Sequence, residues 1–127
     1  MLDTHIWIWR VQSDPRLSAQ HRDLLSQKES EGLGISVISR WEVAKLVELN
    51  RLVLPLEIGQ WIDHALGYPG IRLLELTPQI AIESTQLPPV FHRDPADQLI
   101  VATARTLDIG LVTVDSRIMN YPHVRTL

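Results

Sequence analysis

The chain has no cysteine, so disulfides, thiol catalysis and the thiolate sites that usually hold structural zinc are excluded. No apolar run approaches the ~20 residues of a membrane-spanning helix, and no signal-peptide pattern opens the chain. The expected compartment is therefore the cytoplasm, with no membrane partner. Neither common glycine-rich phosphate loop occurs. Thr4, Ser36 and Ser39 lack a histidine placed to complete a Ser-His-acid triad. Positive charge is not in excess either, the formal net charge being −3, which argues against bulk attraction to nucleic acid but leaves local basic patches open. Internal repeats, low-complexity tracts and flexible linkers are also absent.

What is present in 127 residues, 45% of them hydrophobic, is one domain spanning residues 1–127 with enough apolar content for a real core. Short apolar runs at Leu33–Val37, Ile71–Leu76 and Leu111–Val114 alternate with longer segments of helical period. That alternation predicts an α/β fold, a parallel sheet with crossover helices. Ser18 is placed to cap a helix reaching about Glu31, and Ser39 to open another whose buried face is Val43, Leu46, Val47 and Leu49. A further helix runs from about Glu57 to Leu66. Thr77-Pro78 and Asp94-Pro95 each pair a cap with a proline at the first helical position, starting helices that reach Leu87 and about Asp108. Gly110 is the expected C-cap of the last of these. Asp115–Met119 reads as a short turn or helix, His123–Leu127 as an edge strand, and Met1–Thr4 as a strand stub. Trp7, Trp9, Trp41 and Trp61 suit core or interface anchors.

In such a sheet, strands end and returning helices begin at one edge, where open α/β folds bind ligands. Asp3 and Asp115 follow apolar strands, while Glu42 and Asp97 fall in expected first turns of helices. Four acids from distant parts of the chain are thus expected at one edge. Carboxylates so gathered repel by roughly 4 kcal/mol for a pair about 4 Å apart at an effective dielectric near 20, which a cation or protonation must relieve. Oxygen-only ligands favour Mg²⁺ or Mn²⁺, and His5 and His92 stand near enough in sequence to join a site.

Each acid also has a purely structural explanation. Ser39-Arg40-Trp41-Glu42 matches a capping box, Asp94 is a strong N-cap signal, Asp97 suits a helix dipole, and Asp3 and Asp115 suit loop caps. No single acid is specific. Four unrelated caps, however, have no need to converge.

Four strings carry a resemblance: Leu2-Asp-Thr-His-Ile-Trp-Ile-Trp9, Ile35-Ser-Val-Ile-Ser-Arg-Trp-Glu-Val-Ala44, His92-Arg-Asp-Pro-Ala-Asp-Gln-Leu-Ile-Val-Ala-Thr-Ala104 and Leu111-Val-Thr-Val-Asp115. In this order and nearly end to end, the chain resembles the PIN-domain family, and within it the VapC-type toxins. The resemblance implies a three-layer α/β/α domain with a central parallel sheet of four to five strands. It also implies Mg²⁺- or Mn²⁺-dependent RNA cleavage, a homodimer, and silencing by a VapB-type antitoxin. The family's acidic quartet falls on Asp3, Glu42, Asp97 and Asp115, with Asp3, Asp97 and Asp115 as metal ligands and Glu42 ligating or orienting water. Asp94, Thr4 and His92 are expected to support those acids, and Arg40, Lys45, Arg93 and Arg117 to contact the RNA backbone. Apolar helix faces from Trp41 to Leu52 suit an antitoxin segment docked as a helix. One departure is that family members usually carry several more residues ahead of the first aspartate, so the first strand is short or the true start lies upstream.

The alternative within the family is a degenerate module that binds RNA or protein without cutting; the complete quartet argues against it. Other α/β classes fit poorly. A receiver domain needs an aspartate closing the central strand, which Arg72-Leu-Leu-Glu-Leu76 lacks, and a haloacid-dehalogenase-like phosphatase needs Asp-x-Asp where Asp3-Thr4-His5 stands.

Overall fold

Asp3 ends the first extended segment by capping a helix. Its Oδ1 accepts the Thr4 amide at 2.8 Å, and α1 (Thr4–Gln12) begins at once. In this computed structural model, which describes residues 1–127, the same device recurs along the chain. Ser18 caps α2 (Ala19–Lys28), Ser36 caps α3 (Val37–Glu48) and Glu57 caps α4 (Ile58–Leu66). Thr77 caps α5 (Pro78–Ser84), Asp94 caps α6 (Pro95–Leu107) and Asp115 caps α7 (Ser116–Met119).

All strand pairings are parallel. β1 (Leu33–Ser36) and β2 (Ile71–Leu74) form the continuous ladder, Leu33 opposite Ile71 and Ser36 opposite Leu74. Leu2 bridges Ile35 on one side and Val112 on the other, and Leu111 bridges Thr126. The order across the sheet is therefore β2, β1, Leu2, Leu111–Val112, Thr126. Five extended segments lie side by side, but only two are ladders; the expected four to five strands are reduced to two strands and three single bridges. The cause is local, because Leu2 is followed by the Asp3 cap and Val112 by the Thr113–Asp115 turn, so pairing stops where the caps begin. The expected edge strand over His123–Leu127 shrinks to the Thr126 bridge for want of a longer neighbour.

Strand alternation sends Leu2, Leu33, Ile35 and Val112 to one apolar cluster with Ile6, Trp7, Leu25, Val43 and Trp61. Met1 and Leu111 go to a second cluster with Ile100, Val101, Ala104, Ile118 and Tyr121. The sheet thus lies between two helical layers, as expected. Trp7 and Trp61 meet edge-on at 5.4 Å inside the first cluster, while Trp9 is half-buried and Trp41 exposed.

Several boundaries differ from expectation. The helix α2 stops at Lys28 and α5 at Ser84, each three residues early. Asp108, left-handed at φ 52, caps α6 in place of Gly110. Gly70 is required as glycine, since φ is +80 and a Cβ there would lie 2.5 Å from the Glu29 carbonyl oxygen. The most consequential change is at α3, which is capped by Ser36 through its hydroxyl to the Ile38 amide at 3.2 Å, three residues before Ser39. Glu42 therefore lies in the second turn and is no part of a capping box. No helix is long and apolar enough to cross a membrane.

Candidate active site at the carboxyl edge of the sheet

The edge where Leu2, β1 and Val112 end carries the four acids on four separate elements. Asp3, 8% exposed, is held by the Thr4 amide and by the Thr113 hydroxyl, which donates to Oδ2 at 2.7 Å. Thr113 is buried directly after the Leu111–Val112 bridge residues, and its oxygen accepts the Asp115 amide at 3.0 Å. One hydroxyl therefore sets the spacing of two acids. Thr113 was not singled out from sequence, although its place two residues before Asp115 puts both on one side of an extended segment.

Freed from capping, Glu42 projects toward Thr4, whose hydroxyl donates to Glu42 Oε1 at 2.5 Å. Ser39, fully buried, stands 2.8 Å from the same hydroxyl. Since the Thr4 proton goes to the carboxylate, the Ser39 hydroxyl donates to Thr4, giving a chain Ser39→Thr4→Glu42. Asp97 is in the first turn of α6, its amide accepted by Asp94 Oδ1 at 3.1 Å. Its own Oδ2 lies 2.6 Å from His92 Nε2. Phe91 lies between His92 and Tyr121, tilted 47° to each, with centroids 4.3 Å from Phe91 to His92 and 4.7 Å from Phe91 to Tyr121. His92 Nδ1 is buried without a partner. Asp115 takes the Arg117 side chain at 3.0 Å.

Electrostatics mark the cluster. Burial first, then the charges of Asp3, Asp97 and Asp94, push the Glu42 carboxyl up to about 7, against the lowering effect of the Thr4 hydroxyl. Asp3 is raised by burial despite its hydrogen bonds, with Asp115 adding to the rise. Asp97 is raised by burial, with Asp94 and Asp3 adding, while His92 opposes. Asp115 is instead held below the usual carboxylate range by the Arg117 side chain. Three acids thus resist ionisation and the fourth is neutralised by an arginine.

The donor set suits a hard divalent cation, being carboxylate oxygens with no sulfur and with His92 Nε2 committed to Asp97. No three of the acids stand close enough to grip an ion together in this arrangement, and each is engaged by a protein partner. The expected groups otherwise divide. Thr4, His92 and Asp94 do contact the acids or their backbone. Lys45 turns away to Glu48 at 2.7 Å, and Arg117 turns onto the acids themselves. Arg40 is half-buried, Arg93 exposed, and His5 is exposed at the start of α1.

A parallel sheet between two helical layers, with four acids at its carboxyl edge, defines a class that comparison identifies. The PIN domain family matches residues 1–124, and the chain belongs to that family. Ribonuclease VapC22 of Mycobacterium tuberculosis is 32% identical over 125 residues, covering 98% of this chain and 93% of the relative. The fold is also that of a chain in VapBC2 from Rickettsia felis bound to a DNA fragment from their promoter, with TM-score 0.70, 16% identity and coverage of 100% and 96%. DNA-bound VapBC from Salmonella typhimurium gives TM-score 0.69, 22% identity and coverage of 100% and 95%. A toxin–antitoxin complex from Klebsiella pneumoniae gives 0.65, 22%, and 98% and 94%.

Proposed function

We propose that the chain is a metal-dependent endoribonuclease of the VapC type, the toxin of a toxin–antitoxin pair, which hydrolyses RNA phosphodiester bonds. The observation that carries this reading is the set of four acids from four elements sharing one edge, three of them with raised carboxyl pKa values. Kinship with a ribonuclease supports the reaction class.

In this reading Asp3, Asp97 and Asp115 hold Mg²⁺ or Mn²⁺. Bound there, the ion polarises the phosphodiester, lowers the pKa of an attacking water and offsets charge in the transition state. The protein's own part is positioning and proton handling. Glu42, poised near neutrality, accepts a proton from water, and the Ser39→Thr4 chain fixes the carboxylate that receives it. Thr113 holds Asp3 against Asp115, and His92 holds Asp97. Arg40 and Arg93 meet the RNA backbone, for which the acids need basic partners. The partner is a VapB-type antitoxin, consistent with the toxin–antitoxin assemblies whose chains share the fold. Its docking surface is the apolar stretch around α3, where Trp41, Leu49 and Val53 are exposed. A homodimer and a cytoplasmic location complete the proposal.

The test is cleavage of a mixed RNA pool by the purified chain with Mg²⁺, Mn²⁺ or EDTA, followed by mapping of the ends. Specific internal ends that vanish with EDTA support the proposal. Folded protein that binds RNA and leaves it intact under all three conditions establishes the non-cutting module instead.

A further inference from the structure

Arg117 is the one cation in the molecule that spans two of the four acids. Its Nη2 donates to Asp115 Oδ2 at 3.0 Å and its Nε lies 3.3 Å from Oδ1. The same Nη2 stands 3.5 Å from Asp97 Oδ2. The backbone amide of Arg117 also donates to Asp115 Oδ1 at 2.8 Å, so the short helix that Asp115 caps is what brings the guanidinium back over its own cap. A positive charge therefore bridges α6 and the start of α7, at the place where two of the expected ligands face each other. The arginine side chain is 59% exposed, so it can leave without opening the core.

We propose that Arg117 is the site's own counter-ion: it bridges Asp97 and Asp115 when no divalent ion is bound, and ion and guanidinium compete for these carboxylates. This rests on the reading of the acids as a divalent-cation site. An arginine suits the task because its charge is permanent and its planar fork takes two oxygens at once. It accords with the lack of any three acids close enough to grip an ion as they stand: Asp115 is committed to the fork and Asp97 is shared between the fork and His92. The guanidinium end of both pairs is open to solvent, which keeps such pairs weak, so the arginine is a light latch that lowers ion affinity without abolishing it. Once displaced, the same guanidinium is free to take a phosphate oxygen of the substrate, so the role expected from sequence becomes the second of two states.

The test is Mn²⁺ binding to the full chain, followed by the electron paramagnetic resonance signal of the free aquo ion. Wild type is compared with Arg117→Gln, Arg117→Lys and Asp97→Asn, each checked for folding by circular dichroism. Arg117→Gln is expected to bind Mn²⁺ roughly three- to tenfold more tightly than wild type, the gain that release of two solvent-facing pairs allows. Arg117→Lys is expected in between, since it keeps the charge and loses the fork. Arg117→Gln at or below wild-type affinity overturns the latch. So does Arg117→Lys at wild-type affinity beside a tighter Arg117→Gln, since net charge alone then accounts for the gain. If Asp97→Asn binds as wild type does, or neither wild type nor any variant binds, the cation site itself falls and the latch with it. If Asp97→Asn alone loses binding while the arginine variants match wild type, only the latch falls.

Discussion

Glu42 is where the molecule's chemistry and its stability pull in opposite directions. Its carboxyl is pushed up to about 7 from an ordinary 4.5 by burial and by neighbouring acids, so the folded state holds a proton that the unfolded state releases above about pH 4.5. By linkage, stability is greatest below that pH, declines as pH rises, and levels off once the folded carboxyl also ionises near 7. Glutamine mimics the protonated form and still accepts from Thr4. In metal-free buffer, Glu42→Gln is therefore expected to be more stable than wild type by roughly 1–3 kcal/mol at pH 8, and within about 0.5 kcal/mol at pH 4, as measured by urea unfolding. An equal gain at both pH values would remove ionisation as its cause. Asp97→Asn belongs to the same scale. The amide oxygen still accepts from His92, so the fold is retained, while RNA cleavage is expected to be lost and Mn²⁺ binding weakened. Undiminished cleavage by the folded variant would remove Asp97 from the chemistry. That these four acids would share one edge was legible because each lay in a recognisable string. Thr113 and the Ser39→Thr4→Glu42 chain were not, because a buried hydroxyl in an apolar run reads as a filler until its partner, far away in sequence, is in place.

At the scale of elements, capping and chemistry use the same residues. Asp3 and Asp115 are N-caps as the bland reading held, yet capping is also what fixes their carboxylates at the edge. Asp94 separates the two roles, since its Oδ1 accepts the Asp97 amide and its charge helps to raise Asp97 and Glu42. Asparagine keeps the cap and alanine does not. Asp94→Ala is expected to cost about 1 kcal/mol, while Asp94→Asn stays within about 0.5 kcal/mol of wild type, both read from unfolding midpoints. Equal losses would mean that the charge, and not the cap, matters at this position. The caps at Ser18, Thr77 and Asp94 were legible because a polar side chain precedes a helical period, in two cases with proline next. Ser36 was not. Val37 is β-branched and fits the end of the Leu33–Val37 strand, but packing of the next residue, Ile38, into the second cluster accompanies a helix that starts at Val37, tertiary contact overriding local preference. The same three-residue shift is what removed Glu42 from its suspected capping box.

For the whole molecule, the sheet is short because helix caps occupy its edge. Parallel topology and the two-sided core followed from apolar runs alternating with helical periods. Strand length did not, since the two bridges at Leu2 are invisible to periodicity and depend on neighbours at Ile35 and Val112. The edge so formed holds four acids whose mutual repulsion opposes folding, and the only cation spanning two of them is a weakly bound surface arginine. A divalent ion that binds the folded chain and not the unfolded one must then stabilise it by mass action, by about 2.7 kcal/mol at a hundred times its dissociation constant. For a domain of this size that corresponds to a rise in Tm of roughly 8–13 °C. Differential scanning calorimetry at pH 8 with EDTA and with saturating Mn²⁺ is expected to show this rise in wild type and little of it in Asp97→Asn. The rise should also shrink as pH falls below 7, because a proton on Glu42 already relieves part of the repulsion that the ion would relieve. A Tm that ignores Mn²⁺ at every pH would mean that the acids reach their tolerance of one another through protons and arginine alone.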